Sequence, residues 1–330
     1  MHLIHSLGDL SSLPKADLHV HLNGAVPTNT VKKLLSPITD RLPDWFDIDT
    51  DLNVDRPVQG LQEYFKPWHV LKKLPYSIDC LNIMVESALK ELAKDNVRYV
   101  ELRNSLFNVA EINKISLEDA LHWLIDSIEY ASEQIGVEAK LILSLSRYNL
   151  DKEIIAKLLN AIKVVKSNGT LVGVDLSGNE DSPIIPEVRD FFIRAKHEYG
   201  LGITIHAGET GKIENIAWAI DDCEADRISH GLAAAKSEKV MSQLRDKDIC
   251  LEVCLISNFL TSSVSAIDEH PVHEFIKNRV PFVFCSDNPC INMATLSENY
   301  KLFCDINVDN DLISSMYVQQ QKYAFNQKKQ

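Results

Sequence analysis

The chain has 330 residues, 45% hydrophobic and 25% charged, with 34 Lys plus Arg against 47 Asp plus Glu and a net charge of −13. This is the composition of an ordinary globular protein, and its acidic balance argues against a nucleic-acid partner, which needs a basic footprint. No run approaches the roughly 18 apolar residues of a membrane span, and Met1 to Pro14 lack a basic segment followed by a long apolar core, so the cytoplasm is the expected compartment.

Short apolar, β-branched runs bounded by turns read as strands, and 3.6-residue spacing between them reads as helix. The first strand falls at 16–22. A helix at 28–35, a polar stretch at 43–57, an aromatic helix at 61–74 and a helix at 77–95 follow. The second strand is 97–103, and a helix fits 116–136. Further strands fall at 139–145, 171–176, 203–206, 227–229, 249–255 and 281–286. Helical spacing separates them at 154–167, 187–199, 213–222, 237–246 and 273–278, and recurs in the tail at 296–303 and 311–326. Gly169 and Gly200 stand just past two of these helices, where a left-handed cap favours glycine.

Eight strands alternating with helices predict one domain over 1–330. Its class is α/β, a (β/α)8 TIM barrel with an insertion after the first strand and extra C-terminal helices. The competing architecture, an open doubly wound sheet, lacks its G-x-G-x-x-G signature after the first strand. The insertion, about 36–75, is the kind of long connection that covers a site. The seven cysteines are scattered without a C-x-x-C pair and read as reduced core thiols.

Barrel sites form at the C-terminal ends of strands. Those ends carry His19 and His21, Asp175 with Gly178, His206 with Glu209, His230, and Asp287. His19 and His21 are two residues apart, so on a strand they share a face. Three imidazoles (His19, His21, His206) and the Asp287 carboxylate suit Zn²⁺ as Lewis acid and activator of water, and iron or cobalt fits the same set. Glu209 beside such a centre reads as a proton donor, or as a carboxylate on a helix N-terminus. His230 reads as a group that orients or deprotonates water, or as a core histidine. The other seven histidines, His270 and His273 among them, read as surface, helix-start or packing residues. Leu61, Tyr64, Phe65 and Trp68 share one helical face, as a lid or a helix packed on the barrel would.

The segments Pro14–Ala25, Val174–Gly178, His206–Thr210, Arg227–Gly231 and Ser286–Pro289 together resemble, in order, the adenosine deaminase family, which includes adenosine, adenine and N6-modified AMP deaminases. The resemblance implies a zinc-dependent barrel, one ion per chain, that hydrolyses the 6-amino group of a purine. It implies zinc ligation by His19, His21, His206 and Asp287, and catalysis by Glu209, His230 and Asp287. Asn23, Gly178, Asn288, His21, Leu61, Tyr64 and Phe65 would form the substrate wall. Gly178 would offer its N–H to purine N3, and the residue after the metal aspartate would contact N7.

Two positions depart from the family pattern. Asn23 stands where the adenosine branch usually has Asp, and Asn288 where a second Asp is usual. Adenosine or 2′-deoxyadenosine is the expected substrate, adenine or N6-modified AMP the alternative. A different mononuclear amidohydrolase and a non-catalytic relative are further alternatives. The expected partner is a small purine, with no nucleic acid or membrane, in a monomer or homodimer.

Overall fold

Each strand expected from the sequence is present in the computed structural model, which describes residues 6–148, 150–165, 169–306 and 310–325. They are β1 (Lys15–His21), β2 (Val97–Asn104), β3 (Glu138–Ser146), β4 (Leu171–Ser177), β5 (Gly202–Ala207), β6 (Arg227–His230), β7 (Cys250–Val253) and β8 (Phe282–Phe284). All seven successive pairs are parallel, in the order β1 to β8. An isolated parallel bridge between Val20 and Asp287 brings the end of the sheet back to its start. The fold is a (β/α)8 barrel.

Local chemistry accounts for the helices between the strands. Ser77, Ser116 and Ser237 cap the helices Ile78–Lys94, Leu117–Ile135 and Glu238–Asp246, each hydroxyl accepting a backbone N–H three residues on. Gly200 ends Pro186–Tyr199 in the left-handed conformation, as expected. The helix read over 154–167 is Lys152–Val165, and the tail helix read over 311–326 is Asn310–Tyr323. The ends of those two readings, 166–167 and 326, lie outside the described residues.

Two readings need correction, and two helices were missed. The single aromatic helix over 61–74 is two short turns, Leu61–Tyr64 and Trp68–Leu71. Pro67 lies between them, and proline cannot continue an α-helix hydrogen-bond ladder. The strand read over 249–255 stops at Val253, and Leu255–Leu260 forms a six-residue helix. That apolar run is too short for periodicity to separate the two states. Helices at Leu7–Ser12 and Leu106–Asn113 were not foreseen.

The apolar core divides in two. One cluster joins the strands to the surrounding helices. In a smaller one, Phe46, Tyr64 and Leu71 of the insertion meet Val31 and Leu35 of the preceding helix, together with Leu260 and Ile291. All seven cysteines are free, five of them buried. No helix among the described residues is long and apolar enough to cross a membrane.

Candidate active site

Strand alternation and barrel closure together assemble the site. His19 and His21 project from one face of β1, and their Nε2 atoms lie 3.4 Å apart. His206, on β5, brings its Nε2 to 3.4 Å from that of His21. Asp287 follows β8, and its Oδ1 is 3.3 Å from His19 Nε2 and 3.5 Å from His21 Nε2. The Asp287 backbone also pairs with β1, accepting from the His21 N–H and donating to the His19 carbonyl, both at 2.9 Å. The seam that closes the barrel therefore also fixes this carboxylate beside the two histidines.

Donors held about 2.0–2.1 Å from a common ion and roughly 90–120° apart lie about 2.9–3.6 Å from one another, and a catalytic centre keeps one further position open for water. The separations His19–His21, His21–His206, Asp287–His19 and Asp287–His21 lie in that range, and His19, His21 and His206 together form a group of imidazole nitrogens able to share one ion. Their orientation fits too. His19 Nδ1 is 3.0 Å from Glu252 Oε2, and His206 Nδ1 is 2.9 Å from Asp175 Oδ1. Each carboxylate accepts a hydrogen bond from Nδ1–H, which leaves the Nε2 lone pair facing the centre. Burial opposes ionisation of Asp287, but the surrounding imidazoles outweigh it and hold the carboxyl well below the usual carboxylate range. Ser257 donates to its Oδ2 at 2.6 Å. Burial lowers the pKa of His21 to about 3, so this ring is a neutral donor.

His230 ends β6 with φ of 64°, and Asp287 has φ of 63°. The left-handed region costs a non-glycine residue about 1–2 kcal/mol. At both positions it turns a side chain inward at the mouth. Behind His230, the Val272 N–H donates to His270 Nδ1 at 3.1 Å, His270 Nε2 meets Asn258 Oδ1 at 3.3 Å, and Asn258 Nδ2 meets His230 Nδ1 at 3.1 Å. Read along that chain, His230 carries its proton on Nε2, facing the cavity. Burial holds it neutral, well below the usual histidine pKa.

Glu209 faces this ring, with Oε2 at 3.7 Å from His230 Nε2. Its Oε1 accepts from Ser263 at 3.3 Å and Thr261 at 3.4 Å. Burial first, then the negative charges of Asp287 and Glu180, push its pKa up to about 8. At neutral pH it is a carboxylic acid. With Oε1 occupied by hydroxyl donors, the acid proton belongs on Oε2.

Glu180, in the loop after β4, holds the turn that carries Glu209. Its carboxylate accepts from the N–H groups of Gly208 (2.7 Å), Glu209 (2.7 Å) and Thr210 (3.1 Å), and from Asn215 Nδ2 (2.8 Å).

These groups open on a cavity of about 630 Å³ lined by Asn23, Leu61, Tyr64, Phe65, Trp68, Gly178 and Asn288 among others. Both turns of the insertion therefore face the site as well as packing on the mouth. Gly178 has φ of 97°, a conformation that leaves it without a side-chain cost only as glycine. Asn23 is clamped: its Nδ2 donates to the Leu71 carbonyl at 2.9 Å, and its Oδ1 accepts from Asn104 at 2.9 Å. Asn288 donates to Asp287 Oδ1 at 2.8 Å and to the Tyr64 hydroxyl at 3.2 Å.

Every site residue expected from the sequence thus lies at this mouth. Glu252, Glu180, Asn258 and His270 were not anticipated in these places. The available signal was a carboxylate inside the apolar run 249–255 and another two residues beyond Gly178.

The family model for adenosine deaminase matches residues 14–330. An adenosine deaminase from Clostridium kluyveri is 29% identical over 294 residues, 88% of this chain and 83% of that protein. An amidohydrolase with bound Zn from Burkholderia ambifaria superposes with a TM-score of 0.85 at 22% identity, covering 97% and 87% of the two chains. The N6-methyl-AMP deaminase of Arabidopsis thaliana gives 0.81 at 24% identity, covering 97% and 94%. At those identities the structural likeness is one of fold. The family match spans nearly the whole chain: the protein belongs to the adenosine deaminase family and is a hydrolytic purine deaminase.

Proposed function

We propose that the substrate is adenosine or 2′-deoxyadenosine, converted to inosine or 2′-deoxyinosine and ammonia, and that one zinc ion per chain is held by His19, His21, His206 and Asp287. The observation that carries this reading is that His21 Nε2 lies 3.4–3.5 Å from donor atoms of His19, His206 and Asp287, opposite a neutral carboxyl, Glu209. A zinc ion held there would supply a Lewis acid able to make water a nucleophile near neutral pH.

The chain's own groups do the rest. Glu209 delivers the Oε2 proton to purine N1, which makes C6 electrophilic. His230 directs its Nε2–H at the water oxygen and orients it toward C6. Asp287 accepts a proton from that water as its oxygen adds. The proton taken by Asp287 passes to the 6-amino group, ammonia leaves C6 as the carbon–nitrogen bond breaks, and the remaining hydroxyl proton returns to Glu209 as the C6 carbonyl forms. The Gly178 N–H meets N3. Purine N7 takes the place of the Tyr64 hydroxyl as the second acceptor for Asn288. Leu61, Tyr64, Phe65 and Trp68 cover the base and exclude bulk water.

A second reading rests on one feature of the wall. Lys72 and His69 line the same cavity, and the amide of Asn23 repels a phosphate less than a carboxylate would. Both favour a 5′-phosphate, as in an N6-modified AMP. Turnover of adenine, adenosine, AMP and N6-methyl-AMP separates the readings. A higher kcat/KM for adenosine than for the other three is expected. Preference for a 5′-phosphate, lost in Lys72→Ala, would establish the second reading instead.

A further inference from the structure

The seam between β1 and β8 is the least paired line of the barrel. β8 has three residues, and near the mouth the strands meet through the Asp287 backbone and through the Ser286 N–H, which donates to Asp17 Oδ1 at 3.3 Å. At the opposite end a side chain fills the gap. Gln320, fully buried on the helix Asn310–Tyr323, accepts from the Ala16 N–H of β1 at 2.9 Å through Oε1. Its Nε2 donates to the Phe284 carbonyl of β8 at 3.0 Å and to the Tyr300 hydroxyl at 2.9 Å. A carboxamide carries one donor face and one acceptor face, as a peptide group does, so it replaces a missing ladder bond.

Five residues on, Phe325 enters the bottom of the barrel. Its ring occupies a notch made by glycines on adjacent strands. A Cβ on Gly173 would lie 2.6 Å, and one on Gly202 2.3 Å, from its ring carbons. The ring covers the Arg227 guanidinium, with Cζ 3.6 Å from its centroid. The Phe325 N–H donates to Glu101 at 2.7 Å, and Arg227 Nη1 donates to the Tyr323 carbonyl at 2.8 Å. Arg227 Nε in turn donates to Glu252 Oε1 at 2.7 Å, and Glu252 Oε2 holds His19. The segment therefore reaches both supports of His19: its strand, through Ala16, and its carboxylate, through Arg227.

We propose that the segment from Gln320 to Phe325 is a clasp, and that Gln320 and Phe325 are positioning residues for His19 and Asp287, acting from the far mouth of the barrel. The inference rests on the metal reading for its affinity arm and is independent of it for its exchange arm.

The test uses the full chain. Gln320→Met keeps the side chain's length and removes the amide. Phe325→Leu keeps apolar volume and removes the ring, and Phe325→Tyr keeps the ring. Leu124→Ala, in the core of the helix Leu117–Ile135, serves as a control for general loss of stability. Zn²⁺ affinity is read by chelator competition, and amide exchange at His21 and Asp287 is read in metal-free protein. Gln320→Met and Phe325→Leu should each weaken Zn²⁺ binding about 10-fold or more and speed exchange at both amides. Phe325→Tyr should stay close to the parent, and Leu124→Ala should lower Tm without changing affinity. Folded Gln320→Met or Phe325→Leu with parental affinity and exchange would overturn the clasp, as would an equal affinity loss in Leu124→Ala. Should Gln320→Met fail to fold, the Phe325 pair decides alone. Should the parent bind no Zn²⁺, the metal reading fails and exchange at His21 and Asp287 still decides the clasp.

Discussion

Glu209 shows how one residue's chemistry is set by its surroundings. A carboxyl group in water is ionised at pH 7. Here burial, reinforced by Asp287 and Glu180, moves its pKa to about 8 and keeps a proton available. Glu209→Gln should retain the metal and lose about 10²–10⁴ in kcat, the usual range for a positioned general acid; metal content and turnover of the purified variant check this. The same shift links Glu209 to stability. Its folded pKa lies above the 4.5 of the free group, so its stabilising contribution is fully present below about 4.5 and is lost as pH rises to about 8. In metal-free protein, the stability of the parent relative to Glu209→Gln should therefore fall across that window and level off above it. Denaturant titrations at several pH values would show a flat difference if the proton were not held. Asn23 carries a different lesson. The departure from Asp was visible in the sequence, but its clamping by Asn104 and Leu71 was not. Those partners lie on β2 and the insertion, and only folding brings them to β1.

At the scale of an element, the turn after β5 depends on a loop after β4. Glu180 is buried and takes four N–H donors from Gly208, Glu209, Thr210 and Asn215. Glu180→Ala leaves the buried Gly208 N–H and three part-buried donors without their acceptor, at about 1–3 kcal/mol for a fully buried group and less for the others. A stability loss on the order of 3 kcal/mol is expected, with a fall in kcat as Glu209 loses its seat. Chemical denaturation and turnover measure the two effects; unchanged kcat would remove Glu180 from the support of Glu209. The aromatic turns of the insertion make the converse point. Their apolar spacing was legible, and Pro67 marked the break, yet periodicity alone could not say whether they faced the barrel or the site. They face both, because the cavity lies beneath the insertion.

At the scale of the molecule, the barrel interior holds charge where apolar layers are the rule. Arg103 and Arg227 lie between Glu101, Asp175 and Glu252, all fully or almost fully buried. Single buried charges of this kind are costly unless paired, and here they form one connected set that ends on His19 and His206. A metal bound only by the folded chain adds stability by mass action, about 2.7 kcal/mol at a free concentration 100 times its Kd. Chelation should therefore lower Tm, and Zn²⁺ should restore it in proportion to the logarithm of its concentration above Kd. A Tm indifferent to chelator and to added Zn²⁺ would exclude a bound ion at this site.

The sequence by itself determined what is local or periodic. Alternating apolar runs specified eight strands and their helices, and the two-residue repeat put His19 and His21 on one face. The positions of His206, Glu209, His230 and Asp287 at strand ends were enough to group them as candidates. Tertiary structure decided what depends on partners distant in sequence. His21 and His206 are 185 residues apart, and Asn23 and Asn104 are 81 apart. Which carboxylate orients which imidazole, which nitrogen of His230 bears the proton, and what holds the β1–β8 seam all follow from closure of the barrel. Hydrogen bonds of this kind are directional and close-range, and no period or motif in the chain encodes them.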